Sequence, residues 1–348
     1  MKFNVPVDNI YYSNLAVFRH SIALVVVGFF LVRTSAVVLA VPENRTTTQR
    51  RCDPIGRVLD QGDNRLTAGS LLCQGERLTL ASGVKVDFLC FLNRRILSLL
   101  GGTVSDTDEC VPKKVRVKPC SYGDTSNCPK PKGPGSNSNT PAIVSPYSST
   151  LLNGRPLLSW YSVASATSYT VEVRGEGVGW QKTVLGTSLA YPNEQPAMQF
   201  GNAYKITIVA NQGDDPVSAS VSVVNLLPQS EATLVLNTVE RINSLNLPKD
   251  EAAFLDLDTI YMSKNLLTET ISSLESRVRV GSLNPAIYRV LGDRYLEAGL
   301  PDYAKHQYEI ASEFARKSAN SIELAKAEAG LERVERYNQL PTRIKGAQ

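Results

Sequence analysis

The chain has 348 residues, 43% of them hydrophobic, and a formal net charge of +4. That length suits roughly two or three domains, the apolar content is that of folded protein, and so small a charge does not by itself imply a nucleic-acid partner. With only two histidines, His20 and His306, histidine-dependent triads and multi-histidine metal sites are almost excluded.

The N-terminal stretch, residues 1–40, reads as a targeting segment. Lys2 and Arg19 precede the apolar run Ile22–Val32, and Val38-Leu39-Ala40 offers small residues for cleavage before Val41. Arg33 interrupts the run and leaves it short of the ~20 residues that span a bilayer. A cleaved signal peptide is the preferred reading, with a retained membrane anchor as its alternative. Both export the remainder, to the periplasm or the envelope.

All six cysteines, Cys52, Cys73, Cys90, Cys110, Cys120 and Cys128, lie in one stretch. An even count confined to one exported region implies disulfides, with the pairing left open; free buried thiols are the alternative. Zinc fits poorly, because no Cys-x-x-Cys pair occurs and both histidines lie elsewhere. Within residues 52–119, Leu71-Leu72, Leu78–Leu80 and Val84–Leu89 are apolar runs separated by Gly69, Gly75 and Ser82-Gly83, which predicts short strands. The order GRV, AGSLLCQGERLTL, SGVKVDFLC, GGTV resembles the FecR-type β domain, which implies a compact all-β unit. FecR proteins also carry a long cytoplasmic tail, whereas little chain precedes the apolar run here, so a sigma-regulator role is not expected. The region is basic, with Arg50, Arg51, Arg94, Arg95, Lys113, Lys114, Arg116 and Lys118.

Residues 120–141 are rich in Pro, Gly, Ser and Asn and read as a solvated linker. A second β module follows over 142–228. Its strand candidates are Leu157–Tyr161, Tyr169–Val173, Trp180–Val184, Tyr204–Val209 and Val217–Val224, which alternate apolar and polar between turn residues. Trp160 before ATSYTVEV, and Tyr204-x-Ile206-x-Ile208-x-Ala210, resemble an Ig-like or fibronectin type III sandwich. The resemblance implies that Trp160 anchors the core and Tyr204 ties its strand to the preceding corner. Trp180, between Gly179 and Gln181, is left open as a surface residue.

The remainder, 231–340, is helical. A helix near Glu231–Leu245 leads in. Residues 284–317 carry Tyr288-x-x-Leu291-Gly292-x-x-Tyr295, then Gly299, then Ala304-x-x-x-Tyr308-x-x-Ala311. Gly292 and Ala304 permit a close helix–helix approach that the larger residues surround, Asn284-Pro285 supplies an N-cap and first-turn proline, and Gly299 ends the first helix. This pattern resembles the tetratricopeptide (TPR) repeat of ~34 residues. One period earlier, Phe254, Leu257, Tyr261 and Leu274 stand at the matching positions. Lys249–Val280 is therefore read as a degenerate repeat with Asp258 and Thr270 in place of the small residues, its helices slightly further apart. Ile322, Leu324, Ala325, Ala329, Leu331 and Val334 predict a terminal capping helix. The resemblance implies a concave binding face formed by the first helix of each repeat: Leu255, Thr259 and Met262 in one, Arg289, Asp293 and Leu296 in the other. Met262, Leu255 and Leu296 would offer apolar contact, and Arg289 a two-toothed grip on a carboxylate.

No phosphate loop or dinucleotide fingerprint is present. The carboxylate pairs Asp256 with Asp258 and Asp214 with Asp215 are expected on a polar helix face and in a turn. The fold class expected is multidomain: a cysteine-containing all-β domain, an Ig-like sandwich, then TPR-type helical hairpins. The functional expectation is an exported non-enzymatic adaptor, without cofactor, catalytic residues or metal, binding a protein or peptide through the helices. The alternative is an envelope-binding protein whose basic β domain holds peptidoglycan or polysaccharide, with the helices serving oligomerisation. Neither involves nucleic acid, and a membrane enters only through an uncleaved N-terminus.

Overall fold

The computed structural model describes residues 53–60, 67–73, 76–105, 110 and 139–339. The targeting segment, most of the linker, Cys52, Cys120 and Cys128 lie outside the described residues. Among those described, strands fill the N-terminal part and six helices the C-terminal part.

The first sheet has the order β2-β1-β3-β4, built from β1 (Pro54–Val58), β2 (Leu71–Cys73), β3 (Arg77–Cys90) and β4 (Arg95–Ser105), all antiparallel neighbours. Sequence reading breaks the chain at Ser82-Gly83. The structure instead runs β3 through it as one long strand, with a register shift between Leu80 and Lys85 where Gly83 adopts φ +82°. A bulge absorbs the extra residues without ending the pairing, and glycine makes its left-handed backbone inexpensive. Ile55, Val58, Leu72, Val86, Phe88 and Leu99 form the core of this sheet. Cys90 and Cys110 are joined by a disulfide, and Cys73 is disulfide-bonded as well.

Two further sheets share the next core. One has the order β10-β7-β5, from β5 (Ile143–Ser145), β7 (Leu157–Trp160) and β10 (Ser188–Ala190). The other has the order β6-β12-β11-β8-β9, from β6 (Thr150–Leu151), β8 (Ser168–Gly175), β9 (Val178–Val184), β11 (Ala203–Gln212) and β12 (Asp215–Leu226). The alternation seen in sequence is the burial pattern: Tyr169, Val171 and Val173 point inward, as do Tyr204, Ile206, Ile208 and Ala210. Trp160 packs on Tyr169, ring centroids 5.5 Å apart. The Tyr204 hydroxyl donates to the Glu176 carbonyl (3.0 Å) and accepts from the Gln199 amide (2.9 Å), which secures the corner before β11. Trp180 is not on the surface. It is buried edge-on against Tyr191, because the inward parity of β9 carries it into the core.

The helices are α1 (Gln229–Ser244), α2, α3 (Leu267–Arg279), α4 (Pro285–Glu297), α5 (Pro301–Lys317) and α6 (Ser321–Gln339). Helix α2 has three consecutive segments: Lys249–Glu251, a π-helical stretch Ala252–Leu257, and Asp258–Met262. No helix among the described residues is long and apolar enough to cross a membrane.

A fourth core joins regions that the sequence presents as separate modules. Leu59 and Leu89 from the first sheet pack with Leu152 and Leu227 from the β6/β12 side and with Val235, Ile242, Ile260 and Leu266 from the helices. Apolar surface shared in this way ties the described parts together.

Candidate functional site

The hairpin α4–α5 is built from local signals. Asn284 caps α4 by accepting the Ala286 amide (3.0 Å), and Pro285 occupies the first turn. Gly299 takes φ +76° and Leu300 donates back to the Tyr295 carbonyl (2.9 Å), the six-to-one bond of a glycine C-cap. Between the helices, a Cβ on Gly292 would sit 2.7 Å from the Tyr308 ring. Ala304, Tyr308 and Ala311 are wholly buried, with Tyr288, Leu291 and Tyr295 around them. Helix α6 closes the other side of the same ring, where a Cβ on Gly330 would come within 2.5 Å. Sequence reading did not single out Gly330, although it is the one residue of α6 without a side chain to obstruct that approach. The Tyr308 hydroxyl donates to Asp293 (2.7 Å), and Arg333 pairs with Asp293 while its guanidinium lies 5.8 Å over the ring. Burial, with the Asp293 charge adding to it, pushes the Tyr308 phenol far above its ordinary value.

Successive first helices are tied by ion pairs. Arg294 on α4 grips Asp258 on α2 with two bonds of 2.7 Å, and its third donor reaches Glu297. Arg289 on α4 donates to Glu323 on α6 (2.6 Å), 34 residues away, and to Asp293 (3.0 Å). Burial disfavours the charged Arg289, but Glu323 and then Asp293 outweigh it and hold the guanidinium above its ordinary value.

This changes the reading of the concave face. Arg289 and Asp293 pair with each other, and Arg289 is committed to two carboxylates, Asp293 and Glu323. Thr259 and Met262 are buried at 5% and 3% exposure, whereas Leu255 and Leu296 are half-buried. The reason is the π-helical stretch. Each residue of an α-helix turns about 100°, and a wider i→i+5 turn rotates everything after Leu257 away from the face that a regular helix would give. Asp256 and Asp258 are buried as well, not displayed on a polar face, and each is held by an arginine of another element, Arg57 and Arg294. Thr270, expected at a looser contact, is wholly buried, and its hydroxyl has no partner among the described residues.

The buried Asp256 meets a cation that sequence reading did not select. Arg57 of β1 is 1% exposed and donates to Asp256 Oδ1 (2.7 Å), Glu251 Oε1 (2.7 Å) and the Gly69 carbonyl (2.6 Å). Burial pushes the Asp256 carboxyl up to about 6 against the pull of Arg57. Around this key, Arg241 on α1 reaches Asp60 (2.7 Å) and Asp87 (3.1 Å), and Arg94 donates to the Met262 carbonyl (3.3 Å). Arg94, counted in sequence among the basic residues for an anionic polymer, therefore points to the helices. Arg95 is exposed, and the rest of that basic set lies outside the described residues. A second junction joins the β6 region to α3: Glu269 accepts from the amides of Leu152 (2.6 Å) and Asn153 (2.9 Å). Tyr147 and Tyr295 both donate to Glu275.

A cavity of about 190 Å³ lies between α1, α2 and α3, lined by Ile242, Leu247, Lys249, Leu257, Ser273 and Arg277 among others. Of its two cations, Lys249 and Arg277, the latter is paired with Asp250 (2.7 Å). Among the described residues, no group of three or more His, Cys, Asp or Glu is placed to hold a metal ion.

No family model matches the chain, and no curated protein is similar to it. Among solved structures, PcrH from Pseudomonas aeruginosa is similar to this chain at 20% identity. The likeness covers 31% of this chain and 83% of that one, with a TM-score of 0.26.

Proposed function

We propose that the protein is an exported, non-enzymatic adaptor whose helical region is a short TPR-type array that binds a protein or peptide partner. The observation that carries this reading is the hairpin α4–α5, closed on Gly292, with an ion pair at one repeat length from Arg289 to Glu323. Stacked hairpins of this kind offer an extended surface made by several first helices. The two sheets over 143–226 serve as an Ig-like sandwich, and the first sheet as a FecR-like unit, that brace the array through the shared core. Export is supported by the apolar run Ile22–Val32 and by the disulfide-bonded Cys73, Cys90 and Cys110. The contact residues in this reading are Leu255 and Leu296, with Asp293 beside them.

The test is site-directed photo-cross-linking in cells. A photoreactive residue at Leu255 or Leu296 should form an adduct with another protein, while the same residue at the exposed Lys182 should not. Absence of any adduct specific to the two helical positions would reject the reading.

A further inference from the structure

Strand β12 closes the five-stranded sheet on one side, and most of that edge is bare. Its partner β6 reaches only Asn225 and Leu226. From Ser218 to Val224 the strand pairs with β11 and, among the described residues, with nothing on its other edge. Natural sheets blunt such edges with charge, proline or bulges. The opposite edge of this sheet does so, since β9 carries the exposed Lys182 in mid-strand. Strand β12 has only Pro216 and a register shift beside Val217, both at its first turn, and no charged residue from there to its end. Its outward parity is apolar: Val217, Val221 and Val223 are 42%, 59% and 52% exposed.

The geometry points to a second copy of this chain as the occupant: the two β12 edges pair antiparallel about a two-fold axis through Val221. In that register Val221 faces its own counterpart, Ala219 faces the partner copy's Val223, and Ser220 faces the partner copy's Ser222. Valine stripes therefore meet on the outer face, and serines meet on the inner one, which makes the pairing self-complementary in the way an isologous interface requires. The charges agree. Asp214 and Asp215 stand exposed at one end of the strand, and Lys205, opposite Val223 on β11, stands exposed at the other. An antiparallel arrangement sets each acidic end beside the partner copy's Lys205 end, whereas a parallel one would set the acidic ends together. Seven paired residues bury less than the ~1,200 Å² of stable complexes, so the dimer is weak and concentration-dependent.

Sedimentation velocity on the exported chain, from low to high micromolar, should show a monomer passing to a dimer. Val221→Lys, which sets two like charges face to face, should weaken the dimer at least ten-fold with unchanged circular dichroism. Val221→Cys should form a disulfide-linked dimer under mild oxidation, because directly opposed residues stand ~4.5–5.5 Å apart at Cβ. Thr183→Cys on the far edge should not. If Val221→Lys fails to fold, the cysteine pair carries the test alone. A monomer at every concentration, the result expected if another segment or an outside strand covers the edge, overturns the inference. So does a dimer in which Val221→Cys cross-links no better than Thr183→Cys.

Discussion

Replacing Arg57 with methionine tests the junction between the first sheet and the helices. Methionine keeps much of the length and apolar stem, so the cavity left behind is small, but three donors disappear. They now serve Asp256, Glu251 and the Gly69 carbonyl at 2.7, 2.7 and 2.6 Å. Asp256 is 0% exposed, and its second oxygen has no partner among the described residues. Loss of Arg57 leaves a fully buried carboxylate with neither oxygen satisfied. Removing one member of a buried ion pair costs about 3–5 kcal/mol, and urea unfolding followed by circular dichroism at pH 8 should show a loss of that size. The pH dependence has a definite sign. With Arg57 present the Asp256 carboxyl already stands at about 6, and without the guanidinium it moves higher. A raised folded-state value favours the protonated form, so at pH 5 Asp256 is neutral and the deficit shrinks, by roughly 1–3 kcal/mol at 1.36 kcal/mol per unit. Replacing Asp256 with leucine in the same chain should restore most of the lost stability. A single-variant loss below about 1 kcal/mol, or one equal at pH 5 and pH 8, would refute the claim that Asp256 is a buried charge dependent on Arg57.

Further outcomes follow from the same contacts. Gly292→Ala and Gly330→Ala each place a Cβ within 2.7 and 2.5 Å of the clamped Tyr308 ring, so each should lower the thermal midpoint through a cost of about 1–3 kcal/mol; no shift in either would mean the ring is not held between α4 and α6. Thr270→Val keeps the shape of a wholly buried side chain and removes a hydroxyl without a partner among the described residues. It should raise the free energy of urea unfolding by up to ~1 kcal/mol, and a lower value would point to a partner for that hydroxyl. Asp256→Asn isolates the native titration. A folded carboxyl at about 6 contributes stability that is complete below the unfolded value of ~4 and is lost as pH rises through 6. The stability of the parent relative to the variant should therefore fall between pH 4 and pH 7, and a flat difference would contradict the raised value.

What could be read from sequence was short in range. The hairpin α4–α5 is specified within residues 284–317 by a cap, a proline, a terminating glycine and small residues at the contact, and each acts on neighbours a few turns away. Strand parity in β8 and β11 was equally local, since a period of two needs only five or six residues to show itself. The candidate face placed Arg289 and Asp293 one turn apart on α4, where they pair with each other. Thr259 and Met262 are buried beyond a π-helical stretch in α2 that breaks the assumed period, and no signature residue marks that stretch in advance.

Tertiary structure alone decided the rest. Arg57 and Asp256 stand 199 residues apart, and nothing near either one distinguishes a buried partner from an exposed charge. The same holds for the core that Leu59, Leu152 and Ile242 share: each belongs to a segment whose own pattern is already satisfied. Amphipathic periodicity tells which face of an element turns away from water. Which other element covers that face depends on how sheets and helices dock, because apolar burial is non-directional. The orientation is then set by the few charges, such as Arg57 and Glu269, that docking takes out of water and that must find partners there.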